Sequence, residues 1–229
     1  MRGFGKNETP GAILIGMLVA AASLFVNGFG VYLTIHADIG AGPWDVFNLG
    51  LSNTFGMLYG TASISVSLAI LVIDIFLREP IGIAMIIDAI VVGKSVDFFN
   101  FVNIVPVPKT IWGAILMIFA GMVVMGYTQY LYMAVSLGCG PRDTLMVGVK
   151  RRLKRIPIGA VSILILALAT LTGYLLGGPV GIGTILCAFL SGPIMQFAFQ
   201  TVRFDATAIR HQSIAQSVSI FMKKGKWKA

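Results

Sequence analysis

Three ionisable residues, Asp88, Lys94 and Asp97, stand inside one otherwise apolar run. A charge near the centre of a bilayer costs at least about 2.5–3.5 kcal/mol, so each needs a physical reason to be there. Lys94 and Asp97 are three residues apart, share a helix face and are predicted to pair. Asp88 falls about 120° around the helix from Lys94 and needs another partner or a proton. Burial raises the pKa of a carboxyl, which would suit a proton-coupled carrier. Two readings stand side by side. Either the three residues line a polar path or hold a coupling proton, or Lys94–Asp97 is a structural pair and Asp88 bonds a neighbouring helix. Asp74, four residues before Arg78, is expected to pair with it at the end of its own helix.

A second set of residues could shape a binding region through the backbone. Gly40-Ala41-Gly42-Pro43-Trp44-Asp45 recurs as Gly138-Cys139-Gly140-Pro141-Arg142-Asp143. Glycines permit a sharp reversal after a long apolar run. Proline fits the first position of a helix, where its missing N–H costs nothing. An aspartate in the first turn complements the positive end of the helix dipole. Each motif therefore predicts the end of one helix and the start of a short one, near 43–55 and 141–153. Free N–H groups at such starts can meet an anionic group, or Asp45 and Asp143 can satisfy them. The short helices are either re-entrant or interfacial.

Six stretches reach the roughly 20 apolar residues that a membrane span needs: 11–36, 57–77, 82–104, 111–137, 156–176 and 180–202. The chain has 229 residues, 57% of them hydrophobic and 11% charged, against roughly 25% charged in a soluble domain. The apolar run after Thr9-Pro10-Gly11 is too long for the core of a signal peptide and is predicted to be the first span. The net charge of +8 is gathered into short connections rather than spread along a polar surface. It therefore suits the anionic cytoplasmic face of a membrane and not nucleic acid. With the N-terminus inside, Arg2, Lys6, Arg78, Arg142, Lys150, Arg151, Arg152, Lys154, Arg155, Arg203, Arg210, Lys223, Lys224, Lys226 and Lys228 all fall on the cytoplasmic side. Lys109 alone falls outside, and both termini are expected to be cytoplasmic. Residues 203–229 form a basic tail in which Ile209, Ile214, Val218, Phe221 and Met222 partly suit one face of a surface helix ending near Trp227; a frayed tail is the other reading.

The motifs belong to a longer repeat. Gly28, Tyr32 and Leu33 face Gly126, Tyr130 and Leu131 at an offset of 98. From there on the offset is 99: Gly60, Ser63, Pro80, Gly82, Gly93 and Phe98 face Gly159, Ser162, Pro179, Gly181, Gly192 and Phe197. Residues 11–104 form one unit and 111–202 the other, each with three spans. Three is odd, so the second unit enters the bilayer upside down, as in many secondary transporters. The expected fold is thus an all-α membrane protein, a single membrane domain over 1–229. It has six transmembrane helices as two inverted three-helix repeats, each with a short interrupted helix after its GxGPxD motif. The counterparts of Asp88, Lys94 and Asp97 are Cys187, Pro193 and Gln196, so the charged set occupies one half only.

The paired motifs, with Pro80-x-Gly82-Ile83 and Pro179-x-Gly181-Ile182, resemble the YczE/YyaS/YitT family of bacterial membrane proteins over roughly residues 28–199. The resemblance implies a multi-pass protein of the bacterial cytoplasmic membrane. It carries over no catalytic residue, because the family has no settled substrate or reaction.

The sequence contains no HExxH, GxSxG or Walker-type GxxxxGK[ST] motif, and its two cysteines, Cys139 and Cys187, form neither a CxxC nor a Cys/His cluster. An enzyme, a metal and a cofactor are therefore not expected. The leading expectation is a carrier for an unidentified small solute, working by alternating access of the two repeats. An uncoupled channel and a non-transport accessory or scaffold protein are the alternatives. Lipid is the expected surrounding partner, with anionic lipids at the cytoplasmic face, and a homodimer would enlarge the protected core.

Overall fold

In the computed structural model, residues 9–206, 209 and 211–225 are described, the last three by their backbone alone. Arg2, Lys6, Arg210, Lys226, Trp227 and Lys228 lie outside the described residues. The described chain is all helical: α1 (Pro10–His36), α2 (Pro43–Phe55), α3 (Tyr59–Phe76), α4 (Ile83–Val102), α5 (Ile111–Ala134), α6 (Pro141–Arg152), α7 (Ile158–Leu175), α8 (Ile182–Thr201) and α9 (Ile214–Gly225). Five of these, α1, α3, α5, α7 and α8, are long and apolar enough to cross a membrane. α4 is as long as α8, about 30 Å at 1.5 Å per residue, but carries Asp88, Lys94 and Asp97. α2 and α6 have 13 and 12 residues and are too short to cross.

Local chemistry sets the helix boundaries. Pro10, Pro43 and Pro141 each occupy the first turn of a helix. Thr9 and Thr110 cap α1 and α5 by accepting from the N–H groups of Ala12 and Gly113, each at 3.2 Å. Pro193 removes one backbone hydrogen bond from the interior of α8.

α1 and α5 form the centre. They cross so closely at Gly30 and Gly121 that a Cβ on either would lie under 3 Å from the other's carbonyl oxygen. Asn27 donates to the Thr128 hydroxyl across the same pair at 2.9 Å, which satisfies a buried amide between apolar faces. α4 packs along α1, and α8 along α5. Outward faces carry large apolar side chains, among them Phe76, Phe101, Trp112 and Phe189, each at least 74% exposed.

Contacts and backbone angles recur with the sequence offsets. The Ile39 carbonyl accepts from Gly183 N–H at 2.7 Å, and the Leu137 carbonyl accepts from Ala84 N–H at 3.1 Å. Gly40 lies against Gly181, as Gly138 lies against Gly82, and in both pairs any Cβ would collide with backbone. Gly40 and Gly138 both have positive φ, at 106° and 135°. So do Asp38 and Ser136, 98 residues apart, and Arg78 and Gly177, 99 apart. Each motif thus grips the start of the last long helix of the opposite half. Thr54, at the end of α2, donates to the Leu176 carbonyl at 3.0 Å; Arg152, at the end of α6, donates to the Leu77 carbonyl at 2.6 Å.

The tail forms helix α9. Its entry is fixed by Gln212 N–H to the Ser136 carbonyl and Ile214 N–H to the Ile81 carbonyl, each at 2.8 Å. Ile220 packs towards the cluster built on Ile13, Leu24 and Tyr132, while Val218, Phe221 and Met222 stay exposed.

Candidate functional site

The two GxGPxD motifs meet. Asp88 lies six residues into α4 from Gly82, about 9 Å along the helix axis, and its carboxylate abuts Gly140. Cys187 lies at the matching depth in α8 and abuts Gly42. The starts of α2 and α6 therefore each lie alongside a long helix, Gly140 by α4 and Gly42 by α8. What remains between them is bridged by side chains: the Arg142 guanidinium lies over the Trp44 ring, 5.1 Å from its centroid. Trp44 and Arg142 occupy the same motif position, 98 residues apart.

Carboxylates surround this contact. Asp45 is buried and accepts from the Tyr59 hydroxyl at 2.7 Å. Tyr59 spends its only proton on that bond, so Asn48 must present its amide N–H₂ to the Tyr59 oxygen, at 3.3 Å. The fully buried Asn48 is then left with an unpartnered Oδ1. Asp143 accepts from the Gln129 amide at 3.3 Å. Asp143 itself is exposed. Arg142 is within electrostatic reach of Asp45, Asp88 and Asp143 alike. The Tyr132 hydroxyl, buried and unpartnered, lies within electrostatic reach of Asp88 and Asp143.

Of the residues picked out by sequence, Asp45, Asp88, Arg142 and Asp143 gather here, with Gly40, Gly42, Pro43, Gly138, Gly140 and Pro141 shaping the backbone. Two expected ion pairs are absent. Lys94 is exposed and does not bond Asp97. Asp97 turns instead to α3, where its Oδ1 accepts from Gly60 N–H at 2.7 Å. An open N–H in the first turn of a neighbouring helix is a nearer and better aligned partner than a flexible lysine three residues away. Asp74 does not pair with Arg78 either: both its carboxylate oxygens are buried without a partner. Arg78 has positive φ, which turns the chain away, and the ion pairs at this end run from buried Glu79 to Arg151 (3.1 Å) and Arg152 (3.8 Å).

Sequence alone assigned no site role to Trp44, Asn48, Tyr59, Gln129 or Tyr132. No group of three or more metal-ligating side chains occurs among the described residues. An apolar cavity of about 390 Å³ between α5 and α8, lined by Phe119, Val123, Tyr127, Pro193 and Phe197, carries no carboxylate and is separate from the site.

Fold and site together define a helical, multi-pass membrane protein with a polar centre. The chain belongs to the family of unknown function DUF6198, which matches residues 14–200. It is 32% identical over 205 residues to the uncharacterised membrane protein YczE of Bacillus subtilis, covering 86% of this chain and 92% of YczE. It is 30% identical over 183 residues to an uncharacterised protein of Haemophilus influenzae (80% and 82% covered) and 26% identical over 179 residues to YyaS of Bacillus subtilis (75% and 86%). The resemblance read from the GxGPxD motifs is thereby borne out for YczE and YyaS. No solved structure matches.

Proposed function

We propose that the chain is a secondary carrier for a small solute, with six spans arranged as two inverted repeats over 11–104 and 111–202. In this reading α4 is the sixth span, its charges facing protein or water in part. α2 and α6 are re-entrant helices whose starts meet near mid-membrane, one entering from each side.

The observation that carries the reading is an asymmetry between equivalent helix pairs. α3 packs against α4 at Gly60 and Gly93, where a Cβ on Gly93 would lie 2.8 Å from the Gly60 oxygen. The equivalents of these glycines 99 residues on, Gly159 and Gly192, have nothing within 4 Å, and α7 and α8 stand apart. One half is closed where the other is open. Exchanging the two arrangements would open the opposite side of the membrane, which is alternating access. With the N-terminus inside, as the basic connections favour, the closed pair faces out and the open pair faces the cytoplasm. A bacterial cytoplasmic membrane, with anionic lipid against the basic inner connections and tail, suits that orientation. Asp143, exposed, and Asp88, partly exposed, are the groups placed to exchange protons with solvent.

The test is flux in liposomes enclosing a pH-sensitive dye, screening small metabolites and ions with Asp88→Asn and Asp143→Asn alongside. Solute-dependent proton movement, lost in a variant, supports a coupled carrier. Solute flux without saturation points to a channel. No flux of any solute, with the variants folding and behaving as the parent, leaves the accessory role and refutes the carrier.

A further inference from the structure

Neither α3 nor α7 is capped by its own N-cap side chain, so the N–H groups of both first turns need an acceptor from elsewhere. In α3 the Gly60 N–H has one: Asp97 of α4 reaches it at 2.7 Å, beside the Gly60–Gly93 crossing. The same two positions 99 residues on are Gly159 in α7 and Gln196 in α8. There the bond is not made. Among the described residues no acceptor meets the Gly159 N–H, and nothing lies within 4 Å of where a Cβ on Gly159 would stand. The Gln196 amide is exposed on a membrane-crossing helix and has no partner among the described residues. A donor and an acceptor are thus left open at matching places on two helices that stand apart. A polar side chain within a span is costly alone and pairs readily across a helix crossing. Gln196 keeps a carbonyl oxygen where Asp97 has a carboxylate, on a side chain one methylene longer, so it has both the acceptor and the reach.

We propose that Gln196 is the latch of the exchanged arrangement: when α7 closes on α8, its amide oxygen accepts from the Gly159 N–H, as Asp97 now accepts from Gly60. The inference rests on the alternating access proposed above and names the residue that holds its second state. It also gives the charge difference between the halves a use. A hydrogen bond to a carboxylate is roughly twice as strong as one between neutral groups. The α3–α4 latch therefore outweighs the α7–α8 latch, and the protein rests with α3 and α4 closed and α7 and α8 apart.

The test needs a background that populates the exchanged arrangement. Gly93→Ala supplies it, because its methyl collides with Gly60 backbone in the present arrangement. Asp97→Ala, which deletes the present latch without overpacking, supplies it a second way. Spin labels at Pro157→Cys and Gln200→Cys, with Cys139→Ser and Cys187→Ala, measure the α7–α8 separation of the full chain in lipid nanodiscs. Gln196→Leu, similar in size but without hydrogen-bonding groups, should cut the short-distance population about fivefold in either background. Gln196→Asn, the amide form of Asp97, should keep that population within about twofold. With neither background substitution, Gln196→Leu should change neither the distance nor the melting profile, since the side chain has no partner to lose. Deuterium exchange of the Gly159 amide should be slower in Gly93→Ala than in the parent, and Gln196→Leu should abolish that protection. Leu and Asn acting alike, or a short-distance population indifferent to Gln196→Leu, overturns the latch and leaves the exchange of arrangements standing. A long distance retained in both backgrounds removes the exchange, and the latch with it.

Discussion

Alanine at two equivalent glycines should push the protein in opposite directions. On Gly93 the added methyl meets the Gly60 carbonyl at 2.8 Å and the Gly60 Cα at 3.2 Å, backbone atoms that cannot turn aside. Overpacking of this kind costs about 1–3 kcal/mol. A cost of about 2 kcal/mol on the observed arrangement shifts a two-state equilibrium roughly 30-fold away from it. Gly192 has open space, so Gly192→Ala costs the observed arrangement nothing beyond ordinary helix terms, which favour alanine over glycine. In the exchanged arrangement, Gly192 would take the place that Gly93 holds now and bear the same cost. The ratio of populations between the two variants should therefore differ by roughly 10³-fold. Paired spin labels read the populations. Leu58→Cys with Phe101→Cys reports the α3–α4 end, and Pro157→Cys with Gln200→Cys, each 99 residues on, reports the α7–α8 end; all four positions are exposed. Gly93→Ala should lengthen the first distance and shorten the second, while Gly192→Ala should sharpen both distances at their parental values. Distances unchanged in both variants, or displaced the same way in both, would refute the exchange of arrangements.

Three further outcomes follow from contacts. Asp97→Ala removes the acceptor from Gly60 N–H and should lower stability by about 1–2 kcal/mol, read from the melting temperature, while Asp97→Asn should recover most of the loss. Gly40→Ala and Gly138→Ala combine positive φ with collision against Gly181 and Gly82 backbone, so neither should yield folded protein on size-exclusion chromatography; Gly177→Ala, with positive φ but open space, should fold with a loss of about 1 kcal/mol. Glu79→Gln leaves Arg151 and Arg152 without their buried partner; because both arginines are largely exposed, the loss should be about 1 kcal/mol and should shrink in high salt, as seen by melting at two ionic strengths.

The helices and the repeat were legible in the sequence because each has a local signal. Proline at helix starts, glycine at positive φ and long apolar runs mark boundaries wherever they occur, and the offsets of 98 and 99 carried through to matched hydrogen bonds and matched backbone angles. The charged residues were legible as a set but not as pairs. Lys94 and Asp97 share a helix face, yet Gly60 N–H, 37 residues away in sequence, wins Asp97 through tertiary packing at the Gly60–Gly93 crossing. Asp74 illustrates the same limit: sequence offered Arg78, but the backbone turn at Arg78 intervenes. Arg142 read as a motif residue and a cytoplasmic charge, and its contact with Trp44 depends on tertiary packing that no local signal encodes. The tail carried a real helical pattern, since α9 forms and is held at Ser136 and Ile81.

The most direct test of alternating access labels one residue from both sides of the membrane. Gln129 is partly buried and touches Asp143, so a cysteine there, with Cys139→Ser and Cys187→Ala, reports the centre of the site. A membrane-impermeant thiol reagent is applied to right-side-out and to inverted vesicles. Alternating access predicts labelling from both faces, faster from the cytoplasmic one, with Gly93→Ala raising the external rate and Gly192→Ala lowering it. Labelling from one face only, unmoved by either substitution, would contradict it.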